Sequence, residues 1–443
     1  MIHELIEAAR EHIYGVGQYL WDNPELGFFE WKAHDFLKKK FEDFGYEVKT
    51  AGNIPGFIAE LDTGRPGPCV ALMAEMDALV CREHPASDPV TGAVHACGHN
   101  AQDAELIGAA YVLRDERVLA DLCGKIRFMV IPAEELQVEE REKLRRDGVI
   151  RYTSGKVEFL HRGLFDGVDI AVMVHTLGGK KPCFYFNPGS NGSIIKMLRF
   201  KGKSAHAAGP WNGINALAAA TLAINGVNAQ RDTFKEQNYT RFSYWYPKGG
   251  DAVNVVSEDV RMEAQLRGST VDAVRSENDK INRTMACCSA AIGATLQISD
   301  RHGYMPFVPC KALQRAMVDT IATLVPREDI NEQEGYFDPG CTDIGDIACV
   351  MPCIQAAVSG SSGRGHGSDY TIKNPEWAYM LGAEALTRFA YDFLKDGAAV
   401  AKGILAQSHP THTKESLLKE IDGFCRDFEP IVYGEDGSVT IKV

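Results

Sequence analysis

Apolar residues recur at helical spacing through the first forty positions, until Asp22-Asn23-Pro24-Glu25-Leu26 interrupts them with turn chemistry. The pattern predicts two helices around a turn. Residues 56–61 and 69–74 then read as short β-like runs, divided by Thr63-Gly64-Arg65-Pro66-Gly67-Pro68. The second run is apolar throughout, as a strand buried on both faces is. Residues 104–113 read as a helix, 125–131 as another buried strand, and 169–174 as a strand ending at His175. Strands alternating with helices predict an α/β fold. Three polar positions, Glu75/Asp77, Glu134/Glu135 and His175, follow the C-terminal ends of strands, where open α/β sheets place their ligands.

From about Asn187 the texture changes. Residues 193–200 are strand-like, 215–230 helix-like, and Arg261-Met262-Glu263-Ala264-Gln265-Leu266-Arg267 alternates strictly, as in a sheet with one face open to solvent. We expect residues 188–302 to form a smaller inserted domain, and 1–187 with 303–443 to form a discontinuous main domain. The α/β pattern resumes near Pro309 and includes a helix over 376–394. A polar helix and a strand-like end, 438–443, close the chain without a legible role. No internal repeat is present.

At 443 residues the chain exceeds what one core usually supports, which agrees with two domains. A formal charge of -13 argues against nucleic acid or an anionic membrane surface as the main partner. No run reaches the roughly 18 to 20 apolar residues of a membrane span, and Met1-Ile2-His3-Glu4-Leu5 lacks the basic-then-apolar pattern of a signal peptide. A cytoplasmic location is expected. The twelve cysteines are scattered, with Cys287 and Cys288 adjacent, which suits reduced, buried small side chains better than a disulfide framework.

Candidate chemistry centres on His95-Ala96-Cys97-Gly98-His99. Two imidazoles and a thiol within five residues suit a borderline divalent metal, and Gly98 frees the loop to fold around an ion; the alternative is an inert turn. Pro132-Ala133-Glu134-Glu135 delivers two carboxylates to the same edge of the sheet, one able to bind metal and one to move protons. The same pair could instead open a helix. His175 could be a core histidine, and Gly363-Arg364-Gly365-His366-Gly367 either a ligand loop or a surface turn.

Taken together, Ala74-Glu75-Met76-Asp77-Ala78-Leu79, His95-Ala96-Cys97-Gly98-His99-Asn100, Pro132-Ala133-Glu134-Glu135, Gly163-Leu164-Phe165-Asp166, His175 and Gly202-Lys203-Ser204-Ala205-His206-Ala207 resemble the M20 metallopeptidase family. The similarity is to its amidohydrolase branch, which includes hydrolases of auxin conjugates, N-acyl amino acids and p-aminobenzoyl-glutamate. It runs in order over roughly residues 5 to 395. It implies a mixed-sheet, zinc-peptidase-like catalytic domain with an inserted α+β lid and dimerisation domain.

Position by position, the resemblance implies that Cys97, His99, Glu135, His175 and His366 bind one or two divalent ions, manganese or zinc. It makes Glu134 the general base and acid, and Asp77 the carboxylate that orients the site. His206 becomes the lid histidine that reaches a partner's site in dimeric members and steadies the oxyanion. Asn254 and Arg267 resemble lid residues that contact substrate. The implied partners are a second copy of the chain and a small carboxylated substrate. The chain departs from the branch at Glu75, where Asp is common, at Gln102, where many relatives have His, and around His366. Glu75, one methylene longer than Asp, could reach a metal. His95 reads as a neighbour that shapes the loop.

The implied reaction is amide hydrolysis. A variant is hydrolytic release of ammonia from an aminobenzoate ring, which Arg364, Arg267, Tyr244 and Trp245 would suit by holding a carboxylated aromatic. A rival of another class is a catalytically silent binding protein. The complete Glu134/Glu135 pair beside Cys97 and His99 argues against that rival, because a binder needs no base next to a metal.

Overall fold

A computed structural model describes all residues from 1 to 443, and the chain divides into two compact units. The first comprises Met1–Gly189, Val308–Phe337 and Asp346–Lys414. Its nine-stranded mixed sheet runs in the order Val48–Thr50, Phe57–Asp62, Lys125–Ile131, Cys69–Glu75, Ile170–Gly178, Cys353–Ser362, Phe184–Phe186 and Ile330–Asn331, with Thr371–Ile372 added beside Cys353–Ser362. The four central strands are mutually parallel, and antiparallel pairs flank them. Cys69–Glu75 is buried along its whole length, as its unbroken apolar run predicts.

Helix His99–Leu113 packs between the sheet and helices Arg10–Asp22 and Gly382–Ala406. It is buried on nearly every face, which explains why it carries no clear amphipathic stripe. It starts five residues earlier than the sequence pattern indicates, so His99 is its first residue. The residue before it, Gly98, has φ +90°, and a Cβ there would lie 2.3 Å from Tyr370 Oη and 2.5 Å from Thr176 Cγ2. Only glycine fits that bend.

The second unit comprises Ser190–Phe307, Asp338–Gly345 and Glu415–Val443. Its antiparallel sheet runs Arg241–Lys248, Asp259–Gly268, Gly192–Lys201, Thr295–Tyr304 and Arg426–Phe428. Asp259–Gly268 alternates between buried and more exposed residues, as predicted. Helices Ala216–Gln230 and Val271–Ala291 pack against the sheet through a core that includes Phe200, Val227, Leu266, Ile281 and Leu296. Asn215 and Thr270 cap the two helices by accepting backbone N–H bonds.

The expected boundary at 302/303 is corrected on both sides. Thr295–Tyr304 carries the second unit past it, and the tail after 414, assigned from the sequence to the main domain, belongs to the second unit. Arg426–Phe428 pairs with the edge of Thr295–Tyr304, where Arg301 bonds Asp427 at 2.8 Å and Arg426 meets Asp300 at 3.2 Å. A three-residue strand of polar and aromatic side chains has too short a period to be seen in sequence. None of the twelve cysteines is paired, and only Cys69, Cys183 and Cys353 are fully buried, so most are less enclosed than expected. No helix is long and apolar enough to cross a membrane.

Candidate metal centre

The first unit brings Cys97, His99, Glu134, Glu135, His175 and His366 together from four separate segments. Donor atoms of Cys97, His99 and His175 lie within 4.8 Å of one another, and so do those of Cys97, Glu135 and His366, and of His99, Glu134 and Glu135. Two of these groups share Cys97.

Each donor is aimed by its local structure. His99 Nδ1 lies 2.9 Å from the Asp77 carbonyl and 3.1 Å from Asp77 Oδ1, so Nδ1 carries the proton and Nε2 presents a lone pair. His175 is fixed likewise, with Nδ1 at 2.9 Å from the Thr176 carbonyl and Nε2 at 3.4 Å from Cys97 Sγ. It lies inside strand Ile170–Gly178, which runs three residues further than the sequence pattern suggests. The His366 loop docks on the cysteine loop through its own N–H, which donates to the Ala96 carbonyl at 2.8 Å, and His366 Nε2 lies 3.2 Å from Glu135 Oε1.

The carboxylate pair does not open a helix. It sits in the loop between strand Lys125–Ile131 and helix Val138–Arg146. Ala133, just before it, has φ +60°, a left-handed conformation that costs a non-glycine residue about 1–2 kcal/mol. The conformation turns the chain so that Glu135 is buried and Glu134 half-exposed. Asp77 ties the parts together, since its Oδ2 accepts the Glu135 N–H at 2.7 Å while Oδ1 faces His99.

The donors perturb one another strongly. Burial and Glu135 oppose ionisation of the Cys97 thiol, yet His99 and His175 bring it down to about 6. Despite burial, Cys97 and Glu75 hold His99 well above its ordinary value, and hydrogen bonds to Cys97 and Glu135 push His366 up to about 11. His95 goes the other way, to about 3, because burial and His99 both disfavour its charge. Its side chain joins none of the donor groups.

These residues fit a divalent cation. Their donor atoms converge within 4.8 Å of one another, and a donor set of thiolate, imidazole and carboxylate is that of zinc and its neighbours. Glu75, in contrast, is in none of the groups. Gln102 Nε2 donates to its Oε2 at 2.8 Å, and Lys156 forms a buried ion pair with its Oε1. Its Oε2 also lies 3.3 Å from His99 Nε2. Burial raises the Glu75 carboxyl, but Lys156 and His99 overcome it and hold it near 2.

Three residues at the centre have no signal in the sequence: Glu30, Arg141 and Lys156, all buried ionisable side chains that a linear reading assigns to solvated surface. Arg364 is exposed in the His366 loop, with its N–H donating to Asp369 Oδ1 at 3.1 Å. His206, Asn254 and Arg267 belong to the second unit. There the Ala207 N–H donates to the Asn254 carbonyl at 3.0 Å, which sets His206 and Asn254 side by side, both exposed. Arg267 is half-buried and held by Gln265 Oε1 at 2.7 and 3.0 Å.

Comparison with known proteins places the chain in a family. Residues 71–392 match the family described as Peptidase family M20/M25/M40. The chain is 27% identical to the Xaa-Arg dipeptidase of Mus musculus over 94% of its own length and 93% of that protein. It is 29% identical to the N-acetylcysteine deacetylase of Bacillus subtilis, covering 68% of this chain and 76% of that one. Among solved structures it resembles a dinuclear metal binding peptidase of the M20 family from Bacillus subtilis, with a TM-score of 0.63, 21% identity, and coverage of 88% of this chain and 99% of the other. The chain therefore belongs to peptidase family M20/M25/M40 and is a metal-dependent hydrolase acting on C–N bonds.

Proposed function

We propose that the protein hydrolyses the amide bond of a small N-acyl, aminobenzoyl or dipeptide-like amino acid, with Glu134 moving the proton and Cys97, His99, Glu135, His175 and His366 holding one or two ions of zinc or manganese. The observation that carries this reading is the convergence of Glu134 with His99 and Glu135 in one donor group. When bound, the divalent ion supplies Lewis acidity, making water more acidic and an amide carbonyl more electrophilic.

The chain's own residues do the rest. Glu134 accepts a proton from the attacking water as its oxygen bonds to the carbonyl carbon. It then returns that proton to the amide nitrogen as the C–N bond breaks, leaving a carboxylic acid and a free amine, and the acid's proton passes to the amine to give carboxylate and ammonium. Asp77 keeps His99 in the tautomer that presents Nε2 and keeps the Glu135 backbone in register. His206 donates to the carbonyl oxygen as it gains charge, acting between the two copies of a homodimer, and Asn254, Arg267 and Arg364 receive the substrate's carboxylate end. The names of the relatives concern acyl and peptide substrates, which favours amide cleavage over ring deamination.

The test is an assay of the full chain, stripped of metal and reloaded with zinc or manganese, against N-acyl amino acids, aminobenzoyl-glutamate and dipeptides. Release of a free amino acid that requires added metal supports the proposal. Metal-independent turnover, or none on any of these amides, contradicts it.

A further inference from the structure

The turn that carries Glu134 and Glu135 is held by three side chains and one backbone N–H from outside it. The Ala133 N–H donates to Glu30 Oε1 at 2.8 Å, and the Ala133 carbonyl accepts from the Gly155 N–H at 3.1 Å. On the other side of Glu134, the Glu135 N–H donates to Asp77, and the Glu135 carbonyl accepts from Arg141 Nη2. Both polar backbone groups of each residue flanking Glu134 are therefore fixed, and none of the four bonds belongs to a helix or a strand ladder.

Glu30 and Arg141 are built for this place. Glu30 stands at the N-cap position of helix Trp31–Asp43, fully buried and making no side-chain capping bond, and its other oxygen has no hydrogen-bond partner. Arg141 is 1% exposed, lies over the Phe28 ring, and donates from Nη1 to the Thr153 carbonyl at 2.6 Å. Gly27 leaves the room it needs, since a Cβ there would stand 2.7 Å from Nη2 and 3.0 Å from Ala133. A buried carboxyl and a buried guanidinium meeting one strained turn from opposite ends do more than fill the core.

We propose that Glu30 and Arg141 are positioning residues that lock the Ala133–Glu135 turn, Glu30 by holding the left-handed Ala133 and Arg141 by holding the Glu135 carbonyl, and so fix where the Glu134 carboxylate stands. The inference rests on Glu134 being the base. A displaced base costs rate far more than substrate affinity, because its geometry matters only as the proton moves.

The test compares Glu30→Gln, which keeps an acceptor oxygen for the Ala133 N–H, with Glu30→Ala, which does not. In the zinc-loaded full chain, Glu30→Ala lowers kcat about 10- to 100-fold with KM changed little, and Glu30→Gln restores most of it. Backbone hydrogen exchange over residues 130–137, read without substrate, rises in Glu30→Ala and not in Glu30→Gln. If Glu30→Ala does not fold, Arg141→Lys, which keeps charge but loses the fork, carries the same two readouts. Unchanged exchange in the alanine variant, or an equal loss of kcat in the glutamine variant, overturns the proposal. Raised exchange together with a fully active Glu134→Gln variant upholds the lock and overturns the base assignment instead, so the two failures are distinguishable.

Discussion

Lys156 and Glu75 form an ion pair in the interior of the first unit, with their side chains 0% and 2% exposed. The pair explains why Glu75, despite its extra methylene, is not among the convergent metal donors: one oxygen belongs to Lys156 and the other to Gln102. Replacing Lys156 with Met leaves the Glu75 charge buried and unpaired, and should destabilise the first unit by about 3–5 kcal/mol. The Lys156→Met/Glu75→Leu double variant should recover much of that loss. Urea unfolding of the two variants measures both. Equal destabilisation would mean that the pair contributes through packing alone.

Sharing of Cys97 between two donor groups makes a separable prediction about stoichiometry. His175→Ala should lose about one equivalent of metal and His366→Ala about one, whereas Cys97→Ala should lose most of both. Elemental analysis after dialysis reads this directly. One equivalent in the wild type, lost alike in all three variants, would reduce the centre to a single ion.

The second unit offers a test of stability against pH. Burial opposes ionisation of Asp300, but Lys196, Asn278 and Asn282 hold its carboxyl below the usual range. A depressed carboxyl stabilises the fold above its unfolded pKa of about 3.9, and that contribution disappears as pH falls through the folded value. Asp300→Asn should therefore cost about 3–5 kcal/mol at pH 7, by stranding buried Lys196, and less at pH 3, below the unfolded pKa, where part of the carboxylate's contribution is already gone. Denaturation midpoints at the two pH values check this. A constant difference would contradict it.

The His206 side chain is exposed beside Asn254, where its Nδ1 accepts the Ala208 N–H at 3.0 Å, while the backbone bonds of His206 do not depend on the imidazole. Its replacement by Ala should lower kcat about 10²- to 10³-fold while thermal stability stays within about 0.5 kcal/mol of the wild type. A variant that folds normally with unchanged kcat would remove His206 from the chemistry.

What was legible in the sequence follows from what each feature needs. Cys97-Gly98-His99 is contiguous and chemically unusual, so its donors stand out; His366 lies far along the chain in a glycine-rich loop and was reached only through family resemblance. Residues 69–74 and 261–267 announced their burial by period. The polar strand Arg426–Phe428 did not, and the tail was assigned to the wrong unit as a result. Glu30, Arg141 and Lys156 were invisible for a different reason. Their burial depends on partners brought from distant segments, and in sequence a buried ionisable side chain looks like a solvated one.

The most direct test of the account is Glu134→Gln, with metal content and turnover measured on the same sample of zinc-loaded protein. If Glu134 carries the proton, metal content equals that of the wild type and kcat on an amide substrate is at least about 10³-fold lower, since the amide side chain can fill the place but cannot carry the proton. Wild-type turnover by a metal-replete Glu134→Gln protein would contradict it.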